Sequence, residues 1–337
     1  MGLVGAGYLG TIHARLLAQS ASGEISLRGQ PVEWTGVFDI DPAKSQKVAA
    51  EFGGKAAGSL EDVIAGSEAL VIAAATSSHY QTAKRALEAG KHVFLEKPMT
   101  TTPAEGAEIV ALAKQKKLVL QVGHVERFNR AFRSLGDHHP RPQFVESHRL
   151  AQFKPRGTDV AVVLDLMIHD LDLILKLMGE YPSKVDAAGV AVISEGADIA
   201  NARLTFPSGA VANVTASRIS ANPMRKLRMF AEDSYISLDF ATGQTQVFRI
   251  AKPDEEHLPG TMSLGEIEKA AVKRHILFSS PAAPEGNAIL MEQQAFFHAI
   301  ETNTPPPVTG EDGLNALRLA TEILEKIGAT EVATGRE

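Results

Sequence analysis

The chain has 337 residues, more than a single core usually organises, so two domains are expected, each able to bury its own core. With 44% hydrophobic and 22% charged residues it has the composition of a folded protein, and a net charge of −6 without a long Lys/Arg run lacks the footprint of a duplex-binding one. The absence of cysteine excludes disulfides, thiolate metal sites and a cysteine nucleophile; with no stretch near the roughly 18 apolar residues of a membrane span, a cytoplasmic protein with no membrane or nucleic-acid partner is expected.

The chain opens on an apolar run that ends in the loop Gly5-Ala6-Gly7-Tyr8-Leu9-Gly10 and continues into helix-compatible residues 12–18. Strand, glycine loop and helix in this order form a dinucleotide site. Gly5 permits the tight turn, Gly7 lets backbone approach a pyrophosphate, and Gly10 lets the helix pack on the strand. Tyr8 and Leu9 lie between them, where the helix N-terminus faces the phosphates. A second apolar run, residues 32–38, ends at Asp39, where such a fold places the acid that binds the adenosine ribose hydroxyls, so Asp39 predicts NAD over NADP. Asp39 lies 29 residues past Gly10 rather than the usual ~20, and the polar insert 20–30 accounts for the excess as a surface loop.

Asp41-Pro42 reads as the N-cap and first position of a helix that runs to Phe52 and stops at Gly53. Residues 69–75 then read as a buried strand, 78–88 as a helix stopped by Gly90, 92–95 as a strand, 103–116 as a helix and 118–122 as a strand. This alternation predicts parallel βαβ units in a doubly wound sheet. Its ligands belong at the carboxyl ends of the strands, which carry Ala75-Thr76, Glu96-Lys97-Pro98 and Gly123-His124. Further on, residues 144–152, 185–193, 199–206 and 210–219 read as strands, with Pro207-Ser208-Gly209 as a hairpin turn. The expected organisation is a Rossmann domain over 1–123 and a second α/β domain over 124–337 for substrate binding and oligomerisation.

A hydride leaves an alcohol carbon only if the hydroxyl proton is also taken, so a dehydrogenase needs a base of near-neutral pKa beside the nicotinamide. Asp165, His169, Asp172 and Lys176 fall at i, i+4, i+7 and i+11, within about 60° of one another on a helix, while Asp170 points elsewhere. Periodicity alone also allows a plain solvent face, with Asp172 and Lys176 an ordinary surface pair. Lys97, at a strand end and followed by proline, should project into the cleft, where it could bond the reacting hydroxyl and relay its proton. His124 and Arg127 follow a strand end and read equally as cleft contacts or as satisfied loop residues. Arg149, Lys154, Arg156, Arg218 and Arg225 are candidates for gripping a pyrophosphate, since the guanidinium fork matches phosphate oxygens. No HExxH or similar spacing occurs, so no metal is expected.

The glycine loop, Thr76 with His79, Ala89-Gly90-Lys91-His92-Val93 and Glu96-Lys97-Pro98, in that order, resemble the Gfo/Idh/MocA oxidoreductase family. The run Asp165-Leu166-Met167-Ile168-His169-Asp170-Leu171-Asp172 resembles that family's Asp-x-x-x-His-x-x-Asp helix. The resemblance implies an NAD-binding Rossmann domain, with Thr76, His79, Glu96 and Lys97 at the cofactor. It also implies a second domain whose open, mostly antiparallel sheet covers one side of the cleft and joins homodimers or homotetramers. His169 would act as general base, Asp165 or Asp172 would hold substrate hydroxyls, and Glu96 would orient Lys97 or the nicotinamide ribose. Gly123-His124-Val125-Glu126-Arg127-Phe128-Asn129, the Asp165 helix and Ala216-Ser217-Arg218-Ile219-Ser220 narrow the resemblance to the UDP-N-acetylglucosamine 3-dehydrogenase branch, which serves lipid A synthesis. Val162, Val163 and Met167 stand where the wider family often has glycine, which weakens transfer of an inositol or glucose substrate. The expected function is NAD-dependent oxidation of a secondary hydroxyl on a sugar or nucleotide sugar. Two alternatives stay open: a hydrolase that oxidises its sugar transiently with tightly held NAD, and a non-enzymatic NAD-binding regulator, for which Lys97 and His169 would be superfluous.

Overall fold

The computed structural model describes residues 1–23, 32–136, 141–153, 160–251, 260–269 and 272–333. Chain packing divides the protein into two units, Met1–Val125 with Asn287–Arg318, and Glu126–Gly286 with Leu319–Glu337. The boundary expected after residue 123 lies beside the one at Val125, while residues 287–318, expected in the second domain, pack with the first unit.

In the first unit, strands β1 (Gly2–Val4), β2 (Gly36–Phe38), β3 (Ala69–Ile72), β4 (His92–Glu96) and β5 (Leu120–Gly123) form a parallel sheet in the order β2-β1-β3-β4-β5. Helices α1 (Tyr8–Ala21), α2 (Pro42–Phe52), α3 (Leu60–Ala65), α4 (Thr76–Glu88) and α5 (Pro103–Lys116) alternate with them. The central strands are continuous apolar runs, as strands covered on both faces must be. Strand order reverses between β1 and β3, so the ligand crevice lies outside their carboxyl ends, where the glycine loop begins. The α2 reading holds: Asp41 accepts from the Ala43 N–H, Pro42 follows, and Gly53 ends the helix. β2 is shorter than the apolar run 32–38, because Val32 and Trp34 are buried in the core without joining the ladder. The expected loop 20–30 begins inside α1, and from residue 24 lies outside the described residues.

In the second unit a 3₁₀ turn (Val125–Phe128) and the short α6 (Arg130–Arg133) lead to β6 (Phe144–Leu150), a π turn (Val163–Met167) and α7 (Ile168–Met178). Strands β7 (Lys184–Val190), β8 (Ile199–Thr205), β9 (Val211–Ser217), β10 (Met224–Phe230), β11 (Ser234–Asp239), β12 (Gln244–Ile250), β13 (Thr261–Lys269) and β14 (Val272–Ser279) follow. With β6 they form a nine-stranded sheet in the order β13-β14-β12-β11-β10-β6-β9-β8-β7, antiparallel throughout except for β6 beside β9. The strands alternate buried and wetter residues, and α7 packs on the buried face against β6 and β9. The opposite face carries a row of directly paired residues, Phe144–Phe230–Tyr235–Phe248–Phe278–Met262, whose five aromatic rings follow one another at 4.9 to 5.9 Å.

The chain then returns to the first unit as α8 (Ala288–Thr302), and α9 (Gly310–Ala333) begins there and ends in the second. Phe296 and Phe297 of α8 complete the first unit's core, Phe296 lying edge-on to Phe94 of β4 at 5.9 Å. Among the described residues no helix is long and apolar enough to cross a membrane.

Candidate active site

The glycine loop is shaped by two close approaches and one open position. Gly5 takes φ +98°, and a Cβ there would stand 2.6 Å from the backbone of Ala73 and Ala74 at the end of β3. A Cβ on Gly10 would stand 2.0 Å from the Gly5 carbonyl oxygen, just past the end of β1, so only glycine lets α1 start this close to the loop. Around Gly7 there is nothing within 4 Å, and the neighbouring Tyr8 is 78% exposed. Gly7 caps α1 without a side-chain acceptor for the helix N–H groups, and Ala75 does the same for α4 at the end of β3. Two helix N-termini with unclaimed donors, open space at Gly7 and an acid beside the loop fit a dinucleotide diphosphate and its ribose. That acid is Asp39: its Oδ2 accepts from the Ala6 N–H at 2.7 Å and its Oδ1 from the Asp41 N–H at 2.9 Å. Each oxygen keeps lone-pair capacity for a ribose hydroxyl. Thr76 is half-buried in the first turn of α4.

His79, expected at the cofactor, is held between the turn after β4 and the end of β3. It is 1% exposed, and its ring nitrogens face the Pro98 carbonyl at 2.9 Å and the Ala74 carbonyl at 3.1 Å. Burial pushes its pKa below the ordinary imidazole value, the two carbonyls and Glu96 working against that shift. His79 thus ties the Lys97-Pro98 turn to the end of β3. Glu96 is buried at the end of β4 and Lys97 is half-buried after it. Glu96 Oε1 meets His13 Nε2 at 2.8 Å, and Glu96 Oε2 accepts from the Lys97 N–H at 3.3 Å. His124 is also buried.

In the second unit the expected polar stripe is not a solvent face. Asp172 is 1% exposed and receives both arms of the Arg127 guanidinium, Nε to Oδ2 at 2.6 Å and Nη2 to Oδ1 at 2.7 Å. The Arg127 and Asp172 side chains, expected as substrate ligands, are engaged with each other. The surface pair with Lys176 is also excluded, because the 3₁₀ turn brings Arg127 to Asp172 while Lys176 stays exposed. Asp170 does point elsewhere, into a buried cluster. Arg149 forks onto it at 3.0 and 2.8 Å and reaches Glu126 Oε1 at 2.9 Å, and Arg225 bonds the same Glu126 oxygen. Burial alone would raise Glu126, but Arg149 and Arg225 outweigh it and hold its carboxyl below the ordinary value.

Arg149 and Arg218 are thereby corrected as pyrophosphate ligands. Arg149 is spent on two buried carboxylates; Arg218, 7% exposed, donates to the Val160 carbonyl beside Asp198. Lys154 and Arg156 lie outside the described residues. Asp165 and His169 are both half-buried, one inside the π turn and the other just after it. Among the described residues no group of three or more His, Asp or Glu is arranged to hold a metal ion.

Sequence reasoning missed His13, Gln293 and Glu126. A lone histidine three residues past Gly10 on an apolar helix was a usable signal for the first; the others owe their place to contacts across long stretches of chain.

The profile described as "Oxidoreductase family, NAD-binding Rossmann fold" matches residues 1–124, and the GFO/IDH/MocA C-terminal domain matches residues 122–237. The chain is 33% identical over 323 residues to UDP-N-acetylglucosamine 3-dehydrogenase of Acidithiobacillus ferrooxidans, covering 96% of this chain and 95% of that one. A solved structure of that enzyme superposes with a TM-score of 0.83 at 32% identity, covering 97% of each chain. Myo-inositol 2-dehydrogenase of Thermotoga maritima is 25% identical over 75% of each chain. Scyllo-inositol dehydrogenase of Lactobacillus casei, solved with NAD(H) and scyllo-inositol, shares the fold with a TM-score of 0.75 at 22% identity, covering 98% of this chain and 96% of that one.

Proposed function

The chain belongs to the GFO/IDH/MocA oxidoreductase family, a family of NAD-binding dehydrogenases, and from that premise we propose that it oxidises the 3-hydroxyl of a UDP-N-acetylhexosamine to the 3-keto sugar. The end-to-end similarity to a UDP-N-acetylglucosamine 3-dehydrogenase carries this reading. Bound NAD supplies the hydride acceptor; the hydroxyl proton is left to the protein. Lys97, at the end of β4, bonds the reacting hydroxyl, and His169 takes its proton with Asp165 as the neighbouring carboxylate. The Arg127–Asp172 fork and the Arg149 cluster fix the helix that presents Asp165 and His169. The π turn at Asp165 supports this assignment, since single π turns inside helices occur frequently at functional sites.

A panel of UDP-sugars with purified protein and NAD, followed by absorbance of reduced nicotinamide, tests the proposal. UDP-N-acetylglucosamine is expected to give net NADH; a signal with a free polyol and none with the UDP-sugar would overturn the substrate. Full turnover to a cleaved sugar without net NADH would instead identify the transient-oxidation hydrolase.

The aromatic row on the open sheet face supports self-association through that face. Its exposed members, Phe230 and Met262, would be covered by a second copy, whose own row offers the same apolar surface beside the Arg228–Glu146 and Lys226–Asp239 pairs. Light scattering is expected to give a dimer or tetramer, and Phe230→Lys with Met262→Lys to shift it toward monomer. A parent protein that is already monomeric removes this reading.

A further inference from the structure

His13 is fully buried on α1. Its ring lies edge-on to Phe94 at 5.3 Å, its Nε2 is 2.8 Å from Glu96 Oε1, and its Nδ1 is 2.7 Å from Nε2 of Gln293 on α8. An amide nitrogen only donates, so the Gln293 contact makes Nδ1 an acceptor and leaves the ring proton on Nε2, aimed at Glu96. With a donor on Oε1, Glu96 serves as an acceptor there. Its other oxygen accepts from the Lys97 N–H, and a Cβ on Gly123 would stand 2.8 Å from that oxygen. Glu96 is thus confined by α1, by its own strand end and by the bare backbone at the end of β5. Gln293, 280 positions from His13, is fully buried and reaches it from α8.

We propose that His13 and Gln293 are positioning residues of the dehydrogenase site: they fix Glu96 in place as a hydrogen-bond acceptor and thereby hold the Glu96-Lys97 turn in its working geometry. The proposal rests on the assignment of Lys97 to proton handling. With both of its oxygens engaged, Glu96 holds the turn that carries Lys97 in place. A chain of fixed donors ending in a buried carboxylate orients a neighbouring group in the way that outer ligands orient inner ones in metal and acyl-transfer sites. Gly123 is bare for the same reason.

Two measurements on the full-length enzyme test this. Long-range proton–nitrogen NMR of protein labelled with ¹⁵N-histidine, with the His13 signal identified by its loss in His13→Gln, is expected to show the Nε2–H tautomer. The Nδ1–H tautomer would mean a reversed Gln293 amide and would overturn the proposal whatever the enzyme turns over. In kinetics, His13→Leu fills the space without a donor, whereas His13→Gln keeps an amide donor at nearly the same reach. His13→Leu is expected to lower kcat at least ~10-fold with the Kd for NAD, read by calorimetry, within ~3-fold of the parent, and His13→Gln to recover most of that loss. Equal losses in both variants, or parental turnover in His13→Leu, would reduce His13 to a packing residue and overturn the proposal. Should His13→Leu fail to fold, Gly123→Ala replaces it, since it displaces Glu96 sterically and leaves His13 intact; parental kcat in that variant would overturn the proposal equally. If Lys97 proves dispensable while the tautomer is as expected, the error lies in the assignment of Lys97 and not in the positioning of Glu96 by His13 and Gln293.

Discussion

Lys97→Ala and His169→Ala are each expected to lower kcat by at least ~100-fold while NAD binds with nearly parental affinity, the size of effect that general acid–base groups contribute. The cofactor contacts proposed for the glycine loop, the α1 and α4 N-termini and Asp39 involve neither side chain, so binding and chemistry should separate cleanly. Both residues are assigned to one proton, and groups that act as a unit are strongly non-additive. The double variant should therefore lose little more than the worse single one, rather than the product of the two. Steady-state kinetics with the UDP-sugar, beside NAD titration by calorimetry, measures all of this. Unchanged turnover in either single variant strikes that residue from the site, and a fully multiplicative double variant means the two act in separate steps.

The second large effect is on stability. Arg149→Met should lower the apparent melting midpoint by ~6–20 °C, from the ~3–5 kcal/mol typical of a buried ion pair broken on one side and the shift expected for a unit of this size. The loss is large because Asp170 and Glu126 remain buried: Asp170 loses both arms of its fork, and Glu126 keeps only Arg225 and Asn129. Removing Asp170 as well, in Arg149→Met with Asp170→Leu, should restore much of the stability, because the isolated carboxylate is then gone. A double variant no more stable than the single one would contradict this account. Glu126 also contributes to the pH dependence of stability. Glu126 has a folded pKa below its unfolded value, so its stabilisation is present above the ordinary carboxylate range and fades as pH falls through the folded value. Without Arg149 that lowering shrinks, and acid unfolding should begin at higher pH.

Much of the first unit was legible because its signals are local. Asp41-Pro42 and Gly53 bracket α2, and Thr102 with Glu105 forms a reciprocal cap at the start of α5, next to Pro103. Apolar runs located the strands but overstated their length: residues 32–38 and 69–75 are largely buried, yet a ladder forms only over Gly36–Phe38 and Ala69–Ile72. In the second unit the candidate residues were legible as types, but the partners that bury Asp172 and Asp170 were not. Arg127 and Asp172 are 45 positions apart and Arg149 and Asp170 are 21 apart, so nothing local distinguishes a paired interior carboxylate from a solvated one. The π turn was equally hidden, since its extra residue per turn is imposed by packing rather than by composition. Strands such as β10, with the sequence MRKLRMF, bury only alternate residues and look charged.

The return of α8 to the first unit bears on the order in which this protein can be made. A ribosome releases residues 1–125 long before residue 287, and N-terminal domains commonly fold as they emerge. Here the emerging Rossmann sheet lacks Phe296 and Phe297 for its core and Gln293 for His13. Its apolar surface beside Phe94 must wait, partly uncovered, until nearly nine-tenths of the chain has been synthesised, by which time the intervening unit has had the opportunity to form. A nascent chain stalled before α8 should therefore be protease-sensitive and chaperone-bound in its first unit, and become resistant once that helix clears the exit tunnel.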